Sequence, residues 1–162
     1  MANDQGDITG VITANGILQG YLLHQGKLTL ISFPGAGGGT FPLSINNGGV
    51  IVGDFRDGPN PTDQAHGFTW HNGVFTTINV PGAQDTFPIK INDKGVIVGF
   101  NHDSQGADRG FAFSNGKFFN LVPDSVGTTV FALNNFNNVL GEIESTGTLA
   151  TAFFKGFCSA VF

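Results

Sequence analysis

The sequence predicts an all-β protein with a β-propeller-like architecture of about four blades. Three observations indicate this fold: one pattern recurs in successive copies, strand-forming residues fill short segments between turn dipeptides, and charged residues are scarce. Equivalent asparagines in the three clearest copies are Asn46, Asn92 and Asn134, which lie 46 and 42 residues apart. Repeats of roughly 40 to 50 residues are typical of propeller blades that contain four strands.

The composition favours strands over helical repeats. Charged residues make up 12% of the chain, compared with about 25% in ordinary globular proteins. The chain has 25 Gly and 17 Phe among 162 residues. Helical solenoids of similar period need long runs of Ala, Leu, Glu and Lys, which this sequence lacks. Short runs of Val, Ile, Thr and Phe are instead typical of half-buried strands.

Turn residues divide each unit into four strands, and the second copy shows this most clearly. Asn72-Gly73 offers the positive φ angles that a tight hairpin requires. Pro81-Gly82 is typical of a type II turn. Between these turns and their neighbours we expect strands at residues 67–71, 74–80, 86–91 and 96–100. Four successive strands joined by tight turns form an antiparallel meander, which is the structure of one blade.

The two ends of the sequence match complementary parts of one further unit. Residues 3–10 match 92–99, and residues 151–156 match 111–116. We therefore expect one repeat domain over 1–162, with units at about 20–66, 67–109 and 110–149 and a composite last blade from 1–19 plus 150–162. Joining the ends would hide two sheet edges. The composite blade is about one strand short, so a homo-oligomer that completes the ring is one expected solution.

The compound pattern G-F-x-x-x-x-G-x-F, V-P-G-A, T-x-P and I-N-D-x-G-x-I-V-G covers nearly the whole chain. It resembles the HAF-type probable extracellular repeat of bacterial proteins. The resemblance implies a propeller-like β fold and an extracellular or periplasmic location, but it provides no catalytic residues. Residues 1–5 show neither the basic start nor the apolar stretch of a signal peptide. The third unit departs from the pattern at Pro123-Asp124 and Phe136-Asn137.

Charge and cysteine content narrow the classes of partner. The net charge is −5 and no basic stripe is present, which argues against nucleic-acid binding. No apolar run approaches the ~20 residues of a membrane helix, so we expect no membrane partner. Cys158 is the single cysteine, which excludes an intrachain disulfide framework and a cysteine-based zinc cluster. Its apolar surroundings favour a packed small side chain over a nucleophile.

Asparagines at one repeat position are the candidate metal ligands. In a propeller, equivalent residues lie at equal radius around one axis, so their amide oxygens are expected to face a shared centre. Ca²⁺ favours six to eight oxygen ligands in flexible geometry. The predicted calcium ligands are Asn3, Asn46, Asn92, Asp93 and Asn134. The alternative is that Asn and Asp before Gly are turn residues, whose side chains bond their own backbone.

Histidines and carboxylates in the loops and strand ends are the candidate catalytic groups. His71 shares its repeat position with His24, and His66 directly precedes Gly67. A histidine in a propeller funnel is suited to act as a general base near neutral pH. Asp54 and Glu142 share one position, directly after a strand glycine. Solvated turn histidines are the alternative interpretation of His66 and His71.

Two functions from different classes fit these residues. The first, which the sequence favours, is a small calcium-assisted hydrolase of esters or lactones, in which metal-activated water attacks the substrate within the propeller funnel. The second is a non-catalytic exported binding or scaffold module that recognises a glycan or a protein partner. The sequence contains no G-x-S-x-G, P-loop or H-E-x-x-H motif. Trp70, Tyr21, Phe68 and Phe111 are predicted core aromatics, with a sugar-stacking surface as the alternative.

Overall fold

The computed structural model describes residues 1–14, 16–60, 62–122, 127–145 and 148–154, except for the side chains of residues 145 and 148–154. The described residues form antiparallel β-sheets, as predicted, and within each sheet every strand pairs with the strand that follows it in the chain. The strands are β1 (Ile8–Ala14), β2 (Ile17–His24), β3 (Lys27–Ile31), β4 (Gly39–Ile45), β5 (Ile51–Arg56), β6 (Ala65–His71), β7 (Val74–Thr77), β8 (Asp85–Ile91), β9 (Ile97–His102), β10 (Asp108–Ser114), β11 (Lys117–Asn120), β12 (Gly127–Leu133), β13 (Val139–Ser145) and β14 (Thr148–Phe154). No described segment is a helix of the length and apolarity that a bilayer span requires.

Four meanders result, two with three strands and two with four. Sheet 1 contains β1–β3, sheet 2 contains β4–β7, sheet 3 contains β8–β11 and sheet 4 contains β12–β14. Each sheet from the second onward starts with the strand expected third in a sequence unit. The sheets are therefore offset by two strands from the units drawn on the sequence.

A repeated threonine explains why the chain leaves one sheet after the Pro-Gly turn. Thr40 Oγ1 accepts a hydrogen bond from the backbone N–H of Phe33 at 2.9 Å, and Thr86 Oγ1 accepts one from Val80 N–H at 3.0 Å. In both cases the threonine lies on the first strand of the next sheet and satisfies a backbone group near the end of the preceding one. The backbone N–H therefore pairs with a threonine side chain instead of with a neighbouring strand. The meander ends at this point, and the chain passes to the next sheet.

The predicted composite blade is not formed by the described strands. β1 pairs with β2 in sheet 1, and β14 pairs with β13 in sheet 4. Pairing with the next strand in the chain closes a short loop, which costs less conformational entropy than joining the two ends of the chain. Residues 155–162, including Cys158, lie outside the described residues.

The core lies between successive sheets. We call the side of a sheet that carries Ile8, Ile51, Ile97 or Val139 its front face, and the opposite side its back face. The front face of each sheet from the second onward packs on the back face of the sheet before it. Buried side chains in these layers include Ile31, Ile51, Phe55, Phe68 and Trp70 in the first, Val52, Ile78, Ile91 and Ile97 in the second, and Val98, Ala112, Val130 and Val139 in the third. Burial of Phe68, Trp70 and Phe111 confirms the prediction that they are core residues.

Glycine and proline at repeat positions make close contacts between and within sheets. Gly20 in sheet 1 lies against Pro42 in sheet 2, and Gly67 in sheet 2 lies against Pro88 in sheet 3, where a Cβ would come within 2.8 Å of the proline Cγ. Ladder irregularities follow both prolines. The repeated Gly-aromatic and Thr-Phe-Pro motifs therefore form two sides of one inter-sheet contact.

Replacing Gly53 by Ala should destabilise the fold severely. A Cβ there would overlap the backbone carbonyl of Phe41 on the paired strand. Since the obstacle is backbone, we expect a loss of about 3 kcal/mol in the free energy of unfolding, measured by urea denaturation. Gly127→Ala is the matched control, because its nearest neighbour is the flexible Glu144 carboxylate at 3.3 Å. Equal midpoints for the two variants would contradict this assignment of strain.

Candidate functional site

The four turns that carry the predicted metal ligands share one hydrogen-bonding pattern. In each turn the side-chain oxygen of the asparagine accepts from a backbone N–H four residues further on, at 2.9 to 3.0 Å. The donors are Asp7, Val50, Val96 and Asn138. These amide oxygens thus serve their own turns, as the alternative interpretation of the sequence expected.

The amide nitrogens of the same side chains connect one sheet to the next. Asn3 Nδ2 donates to the main-chain oxygen of Asn46 at 3.0 Å, and Asn46 Nδ2 donates to that of Asn92 at 3.1 Å. Asn92 Nδ2 then donates to the main-chain oxygen of Asn134 at 3.0 Å. We call this series the asparagine ladder. Each rung joins the side-chain amide of one asparagine to the main-chain carbonyl of the equivalent asparagine in the next sheet.

A second ladder lies beside it and alternates carboxylate with amide. Its members are Asp4, Asn47, Asp93 and Asn135. The backbone N–H of each of the first three donates to the side-chain Oδ1 of the next, at 2.8 to 3.0 Å. The amide of Asn47 also donates to both neighbouring carboxylates. Alternation keeps the two carboxylates apart and gives each one a neutral donor.

Donors on both sides stabilise the charged form of Asp93. The backbone N–H of Asn47 and the amides of Asn135 and Asn47 lower the pKa of this carboxyl. These hydrogen bonds favour the carboxylate over the protonated acid.

The predicted calcium ligands do converge on one feature. Asn3, Asn46, Asn92, Asp93 and Asn134 all line a depression of about 340 Å³. The amide oxygens and both Asp93 oxygens accept hydrogen bonds within the ladders, which accounts for these side chains without a metal. The described residues also hold no metal-binding group of three or more His, Cys, Asp or Glu. Calcium binding therefore stays a prediction.

The four predicted catalytic residues lie apart. His66 and His71 occupy opposite ends of β6. Asp54 lies on the back face of β5, away from the front face that carries His66. Glu142 lies on β13, in sheet 4, and lines a cavity of about 400 Å³. The structure therefore does not bring these four residues together at one site.

His66 contacts polar groups of its own sheet. Its Nε2 lies 3.0 Å from Asp57 Oδ2, and its Nδ1 lies 2.9 Å from the Asn79 amide nitrogen. Both ring nitrogens therefore contact partners within sheet 2 and the connections around it.

Asp54 is the most perturbed carboxyl among the described residues. Its side chain is buried, and this desolvation raises its pKa to about 6, which the positive charge of Arg56 partly opposes. The negative charge of Asp85, on the first strand of sheet 3, raises it further. A carboxyl group in this range exchanges its proton near neutral pH.

The sequence pattern does not predict that a histidine near Asp54 contacts two aspartates, an arrangement that we call the histidine bridge. His102 Nδ1 lies 2.8 Å from Asp85 Oδ2, and His102 Nε2 lies 3.1 Å from Asp108 Oδ1. The repeat pattern offers no signal for this bridge, because Arg56 and Glu144 occupy the positions equivalent to His102. Only the pairing of β8, β9 and β10 brings the three residues together.

A polar groove of about 490 Å³ lies where sheets 1 and 2 meet. The repeat-equivalent His24 and His71 both line it, together with the backbone or side chains of Gln5, Asp7, Leu22, Gln25, Lys27, Thr29, Asn47, Gly48, Gly49, Trp70 and Asn72. His24 Nδ1 contacts Asp7 Oδ1, and this bond is the main cause that lowers the pKa of Asp7. We call this feature the histidine groove.

No protein-family model matches the chain, and no curated protein matches it significantly.

Removing the Asn92 side chain should destabilise the stack. Asn92 is 4% exposed and makes hydrogen bonds to its own turn, to the Asn134 carbonyl and to Asn137. We expect Asn92→Ala to lose about 3 kcal/mol of unfolding free energy, because buried polar partners lose their hydrogen bonds. Asn92→Asp retains an acceptor for the turn and lacks the ladder donors, and should lose a comparable amount. Wild-type stability in Asn92→Asp, with the exposed Asn120→Ala as control, would show that the ladder contributes nothing.

Asp54 should make the protein less stable as pH rises. Since its pKa is about 6 in the fold and 3.8 for an unperturbed aspartate, the folded state holds the proton over that interval and the unfolded chain releases it. The contribution of Asp54 to stability is therefore greatest below pH 4, falls through pH 6 and then levels off, with a cost of about 3 kcal/mol. Asp54→Asn should be more stable than the wild type at pH 8 and equal to it at pH 4, in thermal unfolding.

Asp103 provides a control, because its pKa is shifted in the opposite direction to that of Asp54. The guanidinium of Arg109 at 2.8 Å and two backbone donors lower the pKa of this carboxyl. Asp103→Asn should therefore lose stability at pH 8 relative to the wild type and lose none at low pH. If both variants shifted in the same direction at pH 8, the assignment for Asp54 would be wrong.

Proposed function

We propose that this chain is a non-catalytic binding module of an exported protein, and that it takes a glycan in the histidine groove. The observation that carries the proposal is the groove itself, where side chains from two successive sheets meet around about 490 Å³. This volume lies within the usual range for small-molecule sites. The exported setting rests on the resemblance of the repeats to the HAF type.

The lining of the groove suits a polyhydroxylated ligand. Lys27 and Gln25 offer donors, Asp7 offers carboxylate oxygens, and His24 and His71 offer ring nitrogens. A sugar ring presents hydroxyl groups that both donate and accept, so this mixture can be satisfied without a net ligand charge. Leu22 and the edge of Trp70 provide the apolar portion. Trp70 is 7% exposed, so its role is to border the groove instead of offering a full stacking face.

We further propose a propeller-like arrangement of the four sheets. Two observations support it. The first strands of sheets 2, 3 and 4 are neighbours, since β4 contacts β8 and β8 contacts β12. Equivalent turns from all four sheets also line one depression. Such an arrangement is expected where equivalent edge strands surround a common axis.

The hydrolase hypothesis receives less support from the geometry. Water activation by a metal or a base requires a ligand set and a general base directed at one point. Here the expected ligand oxygens are engaged in the two ladders, and His66, His71, Asp54 and Glu142 lie at separate positions. A panel of esters and lactones, assayed with and without a calcium chelator, tests this alternative directly. Chelator-sensitive turnover would favour the hydrolase.

Glycan binding should depend on Lys27 and His71. We expect a glycan array to identify a ligand and isothermal titration to show at least a tenfold weaker affinity for Lys27→Ala and for His71→Ala, about 1.4 kcal/mol. Lys117 occupies the repeat position of Lys27 but lies outside the groove, so Lys117→Ala should bind as the wild type does. If the Lys27 and Lys117 variants bound equally, or no glycan bound, the proposal would fail.

A further inference from the structure

The ends of the two ladders carry complementary groups that have no partner among the described residues. In the last turn, neither Asn134 Nδ2 nor the backbone N–H of Asn135 has an acceptor among the described residues. In the first turn, the carbonyl oxygen of Asn3 accepts only from Gly6 of its own turn, and Asp4 Oδ1 has no described donor. Two open donors thus end one side of the stack, and two open acceptors end the other.

These open groups are the ones that every internal rung uses. Between sheets 2 and 3, Asn46 Nδ2 donates to the Asn92 carbonyl and Asn47 N–H donates to Asp93 Oδ1. The same two bonds would join Asn134 to the carbonyl of an Asn3 and Asn135 to the carboxylate of an Asp4. The order Asp4, Asn47, Asp93, Asn135 also alternates, so an aspartate continues it correctly after Asn135.

The front face of sheet 1 lacks the cover that the other front faces have. Ile8 is 39% exposed, whereas the equivalent Ile51, Ile97 and Val139 are 0%, 2% and 0% exposed. Other exposed large apolar side chains on this face are Ile12, Ile17, Leu28 and Leu30. In sheets 2 and 3 the same face packs on the preceding sheet.

The back face of sheet 4 shows the converse. Leu140 is 37% exposed, whereas the equivalent Val52 and Val98 are completely buried beneath the next sheet. The first sheet of the chain therefore has an uncovered front face, and the last sheet has an uncovered back face. In the described part of the chain, no extensive packing joins sheet 1 to sheet 4.

We propose that a second copy of this chain supplies the missing neighbour, head to tail. The back face of sheet 4 and the Asn134–Asn135 turn of one copy receive the front face of sheet 1 and the Asn3–Asp4 turn of the next. The joint continues the sheet-on-sheet contact and both ladders already present within the chain. A heterologous contact of this kind closes into a ring or extends into a fibre according to the rotation between copies.

Two single-face variants test the proposal. Ile8→Lys places a charge on the front face of sheet 1, and Leu140→Lys places one on the back face of sheet 4. Both positions are more than a third exposed, so the single chain should tolerate them. By light scattering coupled to gel filtration, the wild type should have a mass greater than one chain, increasing with concentration. Each variant alone should have the mass of one chain.

Mixing the variants makes the test specific for the head-to-tail contact. The intact back face of Ile8→Lys can still bind the intact front face of Leu140→Lys. An equimolar mixture should therefore give the mass of two chains and no more. This rescue also shows that both variants are folded.

The measured masses differ if another surface covers the front face of sheet 1 or the back face of sheet 4. If two front faces pair with each other, Leu140→Lys keeps the wild-type mass and the mixture forms no defined pair. If sheet 4 closes on sheet 1 of the same chain, the wild type has the mass of one chain at every concentration. Either result overturns the proposal. The histidine groove lies at the back of sheet 1, so glycan binding by Ile8→Lys separates failure of this contact from failure of the proposed function.

Discussion

The fold depends on a hydrogen bond from an asparagine side chain in one turn to the main-chain carbonyl of the equivalent asparagine in the next sheet. Asn46 and Asn92 are 7% and 4% exposed, and their amides would be costly to bury without partners. Each oxygen closes its own turn while each nitrogen reaches the next, so one side chain determines both local and inter-sheet geometry. The buried side-chain polar atoms of the described residues all have hydrogen-bond partners.

This interaction also sets the spacing of the sheets, and the other repeated residues conform to it. A glycine within a strand of one sheet admits the proline ring of the next sheet, at Gly20–Pro42 and Gly67–Pro88. Threonine Oγ1 then satisfies the backbone at the corner between sheets. The repeats therefore recur in sequence because one three-part contact recurs in space. The polar residues at these positions hold successive sheets together through hydrogen bonds.

The groups that remain for recognition are those that differ between copies. His24 and His71 share a repeat position with Ser114, and Lys27 shares one with Val74 and Lys117. Within the histidine groove they meet Asp7, which belongs to the first turn alone. The Asp85–His102–Asp108 bridge is likewise confined to sheet 3. Departures from the repeat therefore create the chemically distinctive regions of this chain.

Local chemistry was readable from the sequence: the alternation of apolar residues, the Asn-Gly and Pro-Gly turns and the period of the copies together determined an all-β chain of antiparallel meanders. They also identified the aromatic core at Phe68, Trp70 and Phe111, because burial of large strand side chains follows from pattern and composition. Tertiary structure alone decided which strands share a sheet and where the Asn46 and Asn92 amides point. The direction of these amides depends on contacts between residues more than 40 positions apart, whose geometry no local propensity encodes. The same reason explains why Asp54, buried at the junction with Asp85, acquired its raised pKa without any signal in the sequence around it.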